Sequence, residues 1–553
     1  MALLGIGFLA FISVAYFAYG KWVAKQMGLD DKKTTPAHAI NDGQDFVPTS
    51  PFYLFAQHFS AIAAAGPIAG PIVAVQNFGW LPALVWIAFG VVFIGAVHDF
   101  TSLAISVKNG AVSVAEIVKK VLGDRAGFAM MIFIWLALNY IIIAFSDITI
   151  GSFISGTEEL EGSVLSFNPG GAVAAASVFY LTLSILAGLI QRFVNPPMWI
   201  MTVVFVPLSL VCAWLGTYCS NWLVFDFTTW VWILVTYCAI ASVLPVWLLL
   251  QPRGFLGGFI LYIALGIGMI GLLFGNYEIM QPKFISFDIG GMTGAMFPFL
   301  FVTIACGACS GFHGIVCSGT TSKQISKESH CHSIGYGAML AEAFVAVIAM
   351  VMIMKMTPAE SAGLKPGLIY GKGIGEFLTL IIGKEHLQLA TTFGAMAFST
   401  FVFDTLDVSA RLGRYLLQEI FKLKGKYTVL ITTVSMAVVP LLFLLNMSGG
   451  SWGRFWILFG ASNQLLAALT LLAVTVWLHK SRKRIAYTLL PMLFILTITL
   501  WALGSLVLGN WKASQGFDFA LVNSVGALLL IVLAVYICGI AVKQNLFEKK
   551  NQR

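Results

Sequence analysis

HFSAIAAAGPIAGP, residues 58–71, is an apolar run in which two Gly-Pro pairs stand four residues apart. A proline removes one backbone donor and clashes with the carbonyl one turn earlier, so each pair interrupts a helix. Backbone groups freed in this way cannot be left facing lipid. The segment therefore predicts either a proline kink packed on a neighbour or a broken helix whose free groups face a cavity, an ion or a substrate.

A second apolar segment is interrupted by glycines and hydroxyl side chains. It reads CGACSGFHGIVCSGTT, residues 306–321. On our count of spans the two interrupted segments are the second and the ninth, so they cross the membrane in opposite directions. Opposed, interrupted segments are the pattern of an inverted repeat and point to a transporter site near the membrane midplane.

The composition requires lipid as the solvent for most of the chain. Charged residues make up 10% of the 553 residues and hydrophobic residues 59%, with a mean hydropathy of +0.90; soluble domains carry about 25% charge. The net charge of +8 is therefore read against the bilayer and not as a sign of nucleic acid. Eight cysteines are too few for a disulfide scaffold, and there is no P-loop. We predict an all-α polytopic membrane protein that is not an enzyme and has no cofactor.

About 20 apolar residues are needed for one spanning helix, and the chain has about fifteen such segments in one integral membrane domain, 1–553. The core holds the breaks near 58–71 and 306–321, and the C-terminal helices lie within 427–541. The polar stretches 21–51 and 357–385 are predicted to be loops, and the second of these connections can dip into the membrane. The predicted spans are 3–20, 52–75, 79–106, 126–156, 169–191, 197–219, 229–250, 254–275, 293–318, 334–356, 386–410, 427–446, 453–478, 485–508 and 518–541.

Basic residues predict the orientation, since cytoplasmic loops hold an excess of Lys and Arg. If the spans alternate in direction, 25 of the 32 basic residues fall on one side of the membrane, and this number includes those of the C-terminal tail. The protein is therefore predicted to lie in the inner membrane, with its N-terminus outside and its C-terminus in the cytoplasm. The first span is followed by Lys21 and Lys25 and has no basic region before it, which favours a retained span over a cleaved signal peptide.

Ionisable residues within apolar spans mark pathways, because burying them in lipid is costly. Glu342 is the deepest carboxylate and our first choice for proton coupling, against a structural role as partner of a hydroxyl or a histidine. His313 either binds a substrate carboxylate, carries a proton or is a core histidine. Asp404 and Asp407 belong to a helix end, a gate or a binding site. The full set is His58, His98, Asp99, Asp147, His313, Glu342, Asp404 and Asp407.

A stripe of potential metal ligands lies in the second interrupted segment. Thiolates and imidazoles bind zinc, but positions i, i+3, i+7 and i+11 are too spread along one helix to reach one ion unless the helix breaks. Small packing residues are the preferred interpretation, and we predict no metal site. The stripe is Cys306, Cys309, His313 and Cys317, and His330, Cys331 and His332 follow it.

The chain resembles the carbon starvation protein A (CstA) family of bacterial inner-membrane transporters along nearly its whole length. Two departures are Gly254, where members usually have an acidic residue, and 329–332, where they have an acidic stretch; Cys309 and Cys317 are also unusual. The motifs that carry the resemblance are DGQDFVPT (42–49), HFSAIAAAGPIAGP (58–71), FGWLPALVWIAFG (78–90), VHDF (97–100), LLQPRGFL (249–256), SGFHGIVCSGTTSK (310–323), IGYGAMLAEAF (334–344), FDTLDVSARLGRY (403–415) and FGASNQLLAAL (459–469).

This resemblance implies uptake of peptides during carbon starvation, relatives that import pyruvate with protons, and the inverted-repeat core of the amino acid-polyamine-organocation superfamily. We expect a secondary transporter of a small carboxylate solute, driven by protons or sodium, with the oligomeric state left open. The alternative is a membrane metal sensor or enzyme built on the Cys/His stripe; a passive channel would need more pore-facing polar rings.

The expected substrate site uses exposed amides at half-helix ends, where the helix dipole favours a carboxylate. Asn463 and Gln464 add hydrogen bonds or pack helices together. The substrate-binding candidates are His58, Ala65, Gly66, Gly70, Ser310, Gly311, His313, Gly314 and Asn463, and the ion-coupling candidates are Glu342, Asp99, Asp404 and Asp407.

Overall fold

The computed structural model is an assembly of helices. No β-strand occurs in the part of the chain that it describes, where two isolated bridges are the sole extended pairings. Ala64, within the first interrupted segment, lies outside that part. The described residues are 1–43, 45–63, 65–154, 167–291, 293–423, 425, 427–446, 452–516 and 518–547.

Nineteen principal helices are numbered here along the described chain. Short helical turns at Pro36–Ile40, Thr321–Gln324, Pro358–Ser361 and Lys384–His386 connect some of them. The helices are α1 Ala2–Met27, α2 Pro51–Ile62, α3 Gly66–Phe78, α4 Trp80–Lys108, α5 Val114–Leu122, α6 Asp124–Phe153, α7 Pro169–Phe193, α8 Met198–Tyr218, α9 Phe227–Val243, α10 Leu250–Phe274, α11 Met296–Thr303, α12 Gly311–Gly319, α13 His332–Met354, α14 Pro366–Ile382, α15 Leu387–Ile420, α16 Thr428–Leu445, α17 Trp452–Lys480, α18 Ala486–Ala513 and α19 Phe519–Phe547.

Twelve described helices are long and apolar enough to cross a membrane, and a thirteenth span results if the bent pair α2 and α3 is counted as one. This confirms an all-α polytopic membrane protein. The remaining two of the fifteen predicted spans fall on shorter helices: α9 has 17 residues, and the segment 293–318 is divided between α11 and α12. The total of fifteen stays a prediction.

The prediction of a loop over 357–385 is wrong for most of its length. Residues Pro366–Ile382 form α14, which is largely buried and lies antiparallel against α15. Glycines at every fourth position make this contact close: a Cβ on Gly371 would lie 3.0 Å from the Cβ of Ala395, and one on Gly375 would lie 2.6 Å from the hydroxyl of Thr391. The polar residues that suggested a loop are few, and the small residues among them serve helix packing.

Both predicted interruptions are present, and the two broken helices cross at their breaks. The first break separates α2 from α3, which are bent by 45°. The second separates α11 from α12, with residues 304–310 between them. A Cβ on Gly70 would lie 2.6 Å from the carbonyl oxygen of Thr303, and one on Gly307 would lie 3.6 Å from the Cα of Pro67. Glycine at position 70 therefore lets the two backbones approach directly, whereas the contact of Gly307 with Pro67 is an ordinary van der Waals contact.

The helices around the crossing form two sets with matching contacts. The helix after each break contains a π-helical turn, Val91–Gly95 in α4 and His332–Gly337 in α13. Helix α3 packs on α13, whereas α12 packs on α4. A short helix then forms a hairpin with the next long one, α5 with α6 and α14 with α15, and α6 and α15 pack together. This is the arrangement that an inverted repeat predicts.

Two further helices complete the symmetric pattern. Helix α10 contacts the first broken helix through α2 and also packs on α15. Helix α17 contacts the second broken helix through α11 and α12 and also packs on α6. Each break is thus held by one long helix from outside its own half-helix pair. Both of these helices supply polar contacts described below.

The segment 28–49 lies across the connection that follows α12. The Ser326 hydroxyl donates to the Thr49 carbonyl at 2.8 Å, and the Ser329 amide and hydroxyl donate to Asp31 at 2.8 and 2.7 Å. The Ser329 hydroxyl is the main reason that the pKa of the Asp31 carboxyl is lowered. Ser329, which stands where the resemblance implies an acidic residue, therefore still ties this loop to the N-terminal segment.

Replacing Gly70 by valine should separate the crossed helices, because the added side chain would meet the Thr303 carbonyl. Overpacking of this kind costs about 2 kcal/mol, so we expect a clearly lower melting temperature of the purified protein in detergent. Gly266→Val is the control, since nothing lies within 4 Å of a Cβ there. Equal melting temperatures for the two variants would contradict the close crossing.

Candidate functional site

The backbone carbonyls freed at the end of α11 are bound by three side chains. The indole of Trp456 donates to the Thr303 carbonyl and that of Trp86 to the Ile304 carbonyl, both at 3.1 Å. The amide of Gln464 donates to the Phe301 carbonyl at 2.7 Å. Because a buried unpaired carbonyl is costly, these contacts allow the chain to leave the helix within the membrane.

Asn463 caps the N-terminus of α12. Its side-chain oxygen accepts from the Phe312 amide at 2.8 Å, and its nitrogen donates to the Ser310 hydroxyl at 3.0 Å. The same nitrogen lies 3.4 Å from the Cys306 sulfur. A Cβ on Gly311 would overlap the Asn463 carbonyl oxygen. The amide end of this half-helix, a natural position for an anion, is therefore occupied by a neutral side-chain oxygen.

A chain of four ionisable side chains passes beside this half-helix. The Asp99 carboxylate contacts Nδ1 of His98 at 2.7 Å through one oxygen and Nδ1 of His313 at 2.8 Å through the other. Nε2 of His313 lies 3.3 Å from Glu342. All four side chains are at most 1% exposed. The chain joins α4, α12 and α13, so it links the second broken helix to both helices that flank it.

The contact between His313 and Glu342 is the loosest of the three. At 3.3 Å it is within ion-pair distance, but Nε2 and the Glu342 oxygens are not aligned as a hydrogen bond. Within the described residues, the ion-pair partners of Asp99 and Glu342 are all imidazoles. A charge on either carboxylate is therefore compensated only when a neighbouring histidine is protonated.

The first broken helix contributes His58 and two glycines. Nδ1 of His58 lies 2.9 Å from the Thr321 hydroxyl, and its Nε2 lies 3.9 Å from the Cys317 sulfur. A Cβ on Gly66 would overlap Cys306, and Ala65 precedes Gly66 as the residue that caps α3. Gly70 lies one turn into α3, where it is a position of close approach.

Asp404 and Asp407 form a separate cluster with Arg253 of α10. The Arg253 guanidinium pairs with Asp407 and lies 3.1 Å from Asp404. The Tyr237 hydroxyl donates to Asp407 at 2.8 Å. This cluster is connected to the first break because the next residue, Gly254, accepts a hydrogen bond from Ser60 at 3.3 Å. The two aspartates thus lie apart from the Asp99 chain.

An aromatic cavity of about 70 Å³ lies over Arg253. Its walls include Tyr180, Trp230, Tyr237 and Phe403. The guanidinium also lies 5.1 Å from the centre of the Phe403 ring. The charged cluster is therefore bordered by aromatic rings on this side.

The Cys/His stripe is divided by the second break. Within the described part of the chain, no three Cys, His, Asp or Glu side chains are arranged to hold one metal ion. Cys306 lies beside Asn463, and Cys317 donates to the Asp99 carbonyl at 3.5 Å. The Cys309 amide bonds the Ala305 carbonyl at 2.8 Å within the break.

Sequence reasoning missed the contribution of several residues here. The sequence places His98 beside Asp99 among the buried ionisable residues without predicting the contact between their side chains, and it does not mark Trp86, Trp456 or Arg253 as site residues. The sequence did contain a signal for these residues, because a polar side-chain atom in an apolar run needs a hydrogen-bond partner. The identity of those partners depends on helices that lie 150 or more residues away.

The fold defines a polytopic membrane protein built around two crossed, discontinuous helices, as in secondary transporters. The family model for carbon starvation protein CstA matches residues 1–372 and 364–502. The chain therefore belongs to the carbon starvation protein CstA family.

Several relatives match over most of their length. The peptide transporter CstA of Bacillus subtilis (strain 168) is 31% identical over 98% of this chain and 96% of its own. The pyruvate/proton symporter BtsT of Escherichia coli (strain K12) is 30% identical, covering 92% and 81%. The peptide transporter CstA of Escherichia coli (strain K12) is 31% identical, covering 88% and 78%.

Among solved structures, a mutant manganese transporter of Eremococcus coleocola aligns with 92% of this chain and 98% of its own, with 15% identity and a TM-score of 0.46. MhsT in complex with L-phenylalanine aligns with 88% and 99%, with 13% identity and a TM-score of 0.41.

Replacing Trp456 by phenylalanine should destabilise the second break. The ring volume is largely kept, but the Thr303 carbonyl loses its donor, which costs about 1–3 kcal/mol in a buried setting. We expect a lower melting temperature in detergent. Trp511→Phe, at a position 65% exposed, serves as the control and should melt like the wild type. A stable Trp456→Phe protein would mean that water or another group binds this carbonyl.

Proposed function

We propose that this protein takes up a small carboxylate-bearing solute, a short peptide or pyruvate, across the bacterial inner membrane together with protons during carbon starvation. The observation that carries the proposal is the buried chain His98, Asp99, His313 and Glu342 beside the end of a broken helix. A proton-binding chain next to an anion-binding helix end suits the joint transport of a proton and a carboxylate.

The relatives support the substrate class and the coupling ion. Their printed names are peptide transporter and pyruvate/proton symporter, so protons are preferred to sodium. The role is transport and not catalysis. Within the carboxylate class, the choice between peptide and pyruvate is left to the uptake experiment below.

We assign the substrate carboxylate to the N-terminal end of α12. There it would replace the side-chain oxygen of Asn463 on the Phe312 amide, since an anion interacts more strongly with a helix N-terminus than a neutral amide does. The remaining substrate contacts are assigned to residues around the two breaks: His58, Ala65, Gly66, Gly70, Ser310, Gly311 and Gly314. His313, for which the sequence leaves substrate binding and proton transfer open, is assigned to the proton-binding chain because it contacts both Asp99 and Glu342.

Glu342 and Asp99 are assigned to proton coupling. Glu342 is 0% exposed, so it exchanges its proton with bulk water only when the surrounding helices move. Asp404 and Asp407 already have Arg253 as a partner. We assign them to opening and closing of the path beside the first break, with ion coupling as the role they would take if Arg253 moved away.

Uptake into proteoliposomes tests the function. With an inward proton gradient, we expect accumulation of labelled pyruvate or of a labelled dipeptide, and little effect of a sodium gradient. Glu342→Gln should abolish accumulation, because the amide cannot carry a proton. Glu385→Gln, which removes a carboxylate that is 71% exposed, is the matched control and should transport normally. If neither solute accumulates in wild-type vesicles, the proposed substrate class is wrong.

The proposed orientation places the N-terminus outside and the C-terminus in the cytoplasm. Gln515, between α18 and α19, would then face outward, and Ser481, between α17 and α18, would face the cytoplasm. A membrane-impermeant maleimide should label Gln515→Cys in intact cells but Ser481→Cys only after permeabilisation. The reverse labelling pattern would invert the topology.

A further inference from the structure

Asp99 fixes which nitrogen of each neighbouring histidine carries a hydrogen. Its two oxygens contact Nδ1 of His98 and Nδ1 of His313 separately, at 2.7 and 2.8 Å. An ionised carboxylate only accepts hydrogen bonds, so with Asp99 ionised both rings donate through Nδ1. The Nε2 atoms are then the positions at which the two rings gain or lose a proton.

His313 presents its Nε2 to Glu342. If His313 were neutral and Glu342 ionised, a lone pair would face a buried carboxylate that has no hydrogen-bond partner in the described chain. A buried charge left without a partner is strongly destabilising. The arrangement seen here is therefore stable only with one proton between Nε2 and the Glu342 carboxyl group.

We propose that the coupling proton is shared by His313 and Glu342, and that His98 is a positioning residue which holds Asp99 and thereby the tautomer of His313. This rests on the proposed transport function. Proton transfer breaks the O–H bond of Glu342 and forms an N–H bond at Nε2, converting a neutral pair into an ion pair without changing the number of protons. Asp99 stabilises the imidazolium form.

The position of His313 explains how substrate and proton would be linked. It follows Phe312, whose amide is the assigned carboxylate position, and it lies on α12, whereas Glu342 lies on α13. A movement of α12 on binding or releasing substrate would change the contact at 3.3 Å. By reciprocity, protonation of the pair would change substrate affinity by the same factor.

His98 differs from His313 although it contacts the same carboxylate. Its Nε2 is buried, has no hydrogen-bond partner in the described chain and lies against Gly314, where a Cβ would be 3.2 Å away. Among the residues that the structure describes, no second carboxylate pairs with this nitrogen. His98 therefore orients Asp99, whereas His313 faces an acid, Glu342, with which it can exchange a proton.

The groups facing the His313 and Glu342 pair come from each neighbouring element. Helix α4 contributes His98 and Asp99, and α2 contributes His58, held by Thr321. The thiols near the pair belong to the Cys/His stripe. Helix α17 contributes two neutral side chains, Asn463 and Thr470. The pH dependence of coupled uptake should therefore follow the pair and its imidazole neighbours.

Two substitutions of His313 separate its two contacts. Asn keeps a donor near Nδ1 for Asp99 but lacks the distal nitrogen, and Gln reaches toward Glu342 but cannot titrate. In proteoliposomes we expect both variants to retain substrate counterflow, which needs no net proton movement. Gradient-driven accumulation should fall at least tenfold, and counterflow should lose the dependence on pH that the wild type shows.

A second pair tests the positioning role of His98. His98→Asn keeps a donor toward Asp99 and should keep the wild-type pH profile of uptake, whereas His98→Gln should shift it because the Nδ1 donor is lost. A purely structural role would lower the amount of folded protein in both variants without shifting the profile.

Each remaining outcome would overturn the inference. Coupled, pH-dependent accumulation in folded His313→Asn or His313→Gln protein would show that the histidine does not share the proton. Loss of counterflow together with accumulation would place His313 in substrate binding instead. Failure of the wild type to accumulate either solute would refute the proposed function itself, which is a distinct result.

Discussion

The fold depends on the need to bind every backbone group that two broken helices release inside a membrane. Lipid offers no hydrogen bonds, so the carbonyls at the second break are bound by Trp86, Trp456 and Gln464. The first break is accommodated differently, because glycine allows its backbone to lie directly against the second. Once these backbone groups have their partners, the positions of α4, α10, α13 and α17 around the crossing are largely fixed.

The same crossing accounts for the burial of charge. Asp99, His313 and Glu342 belong to three different helices and meet where the second half-helix begins. In a low-dielectric interior, the charge of a carboxylate beside an imidazole is balanced when the imidazole is protonated and unbalanced when the imidazole is neutral. A site of this kind responds strongly to small helix movements, which is a property that a coupled transporter requires.

Two polar clusters with different character are associated with the two breaks. The cluster beside the second break relies on histidines, which gain and lose protons near neutral pH. The cluster beside the first break is centred on Arg253, whose charge is permanent, and contains Asp404 and Asp407. The inverted arrangement of helices is thus symmetric in backbone but not in chemistry, so the two halves can serve different tasks.

The sequence by itself determined the membrane class, the location of both breaks and the family, because hydropathy, Gly-Pro pairs and local motifs are properties of short segments. It also identified Glu342, His313 and Asp99 as costly to bury. It misjudged 357–385, since a glycine-rich helix such as α14 is recognisable only beside the helix that it packs on. Only the tertiary structure decided that Asp99 joins two histidines, that Asn463 caps α12 and that Arg253 binds Asp404 and Asp407. Except for the neighbouring pair His98 and Asp99, these contacts join positions 150 or more residues apart. No local pattern in a single sequence specifies which distant segments meet.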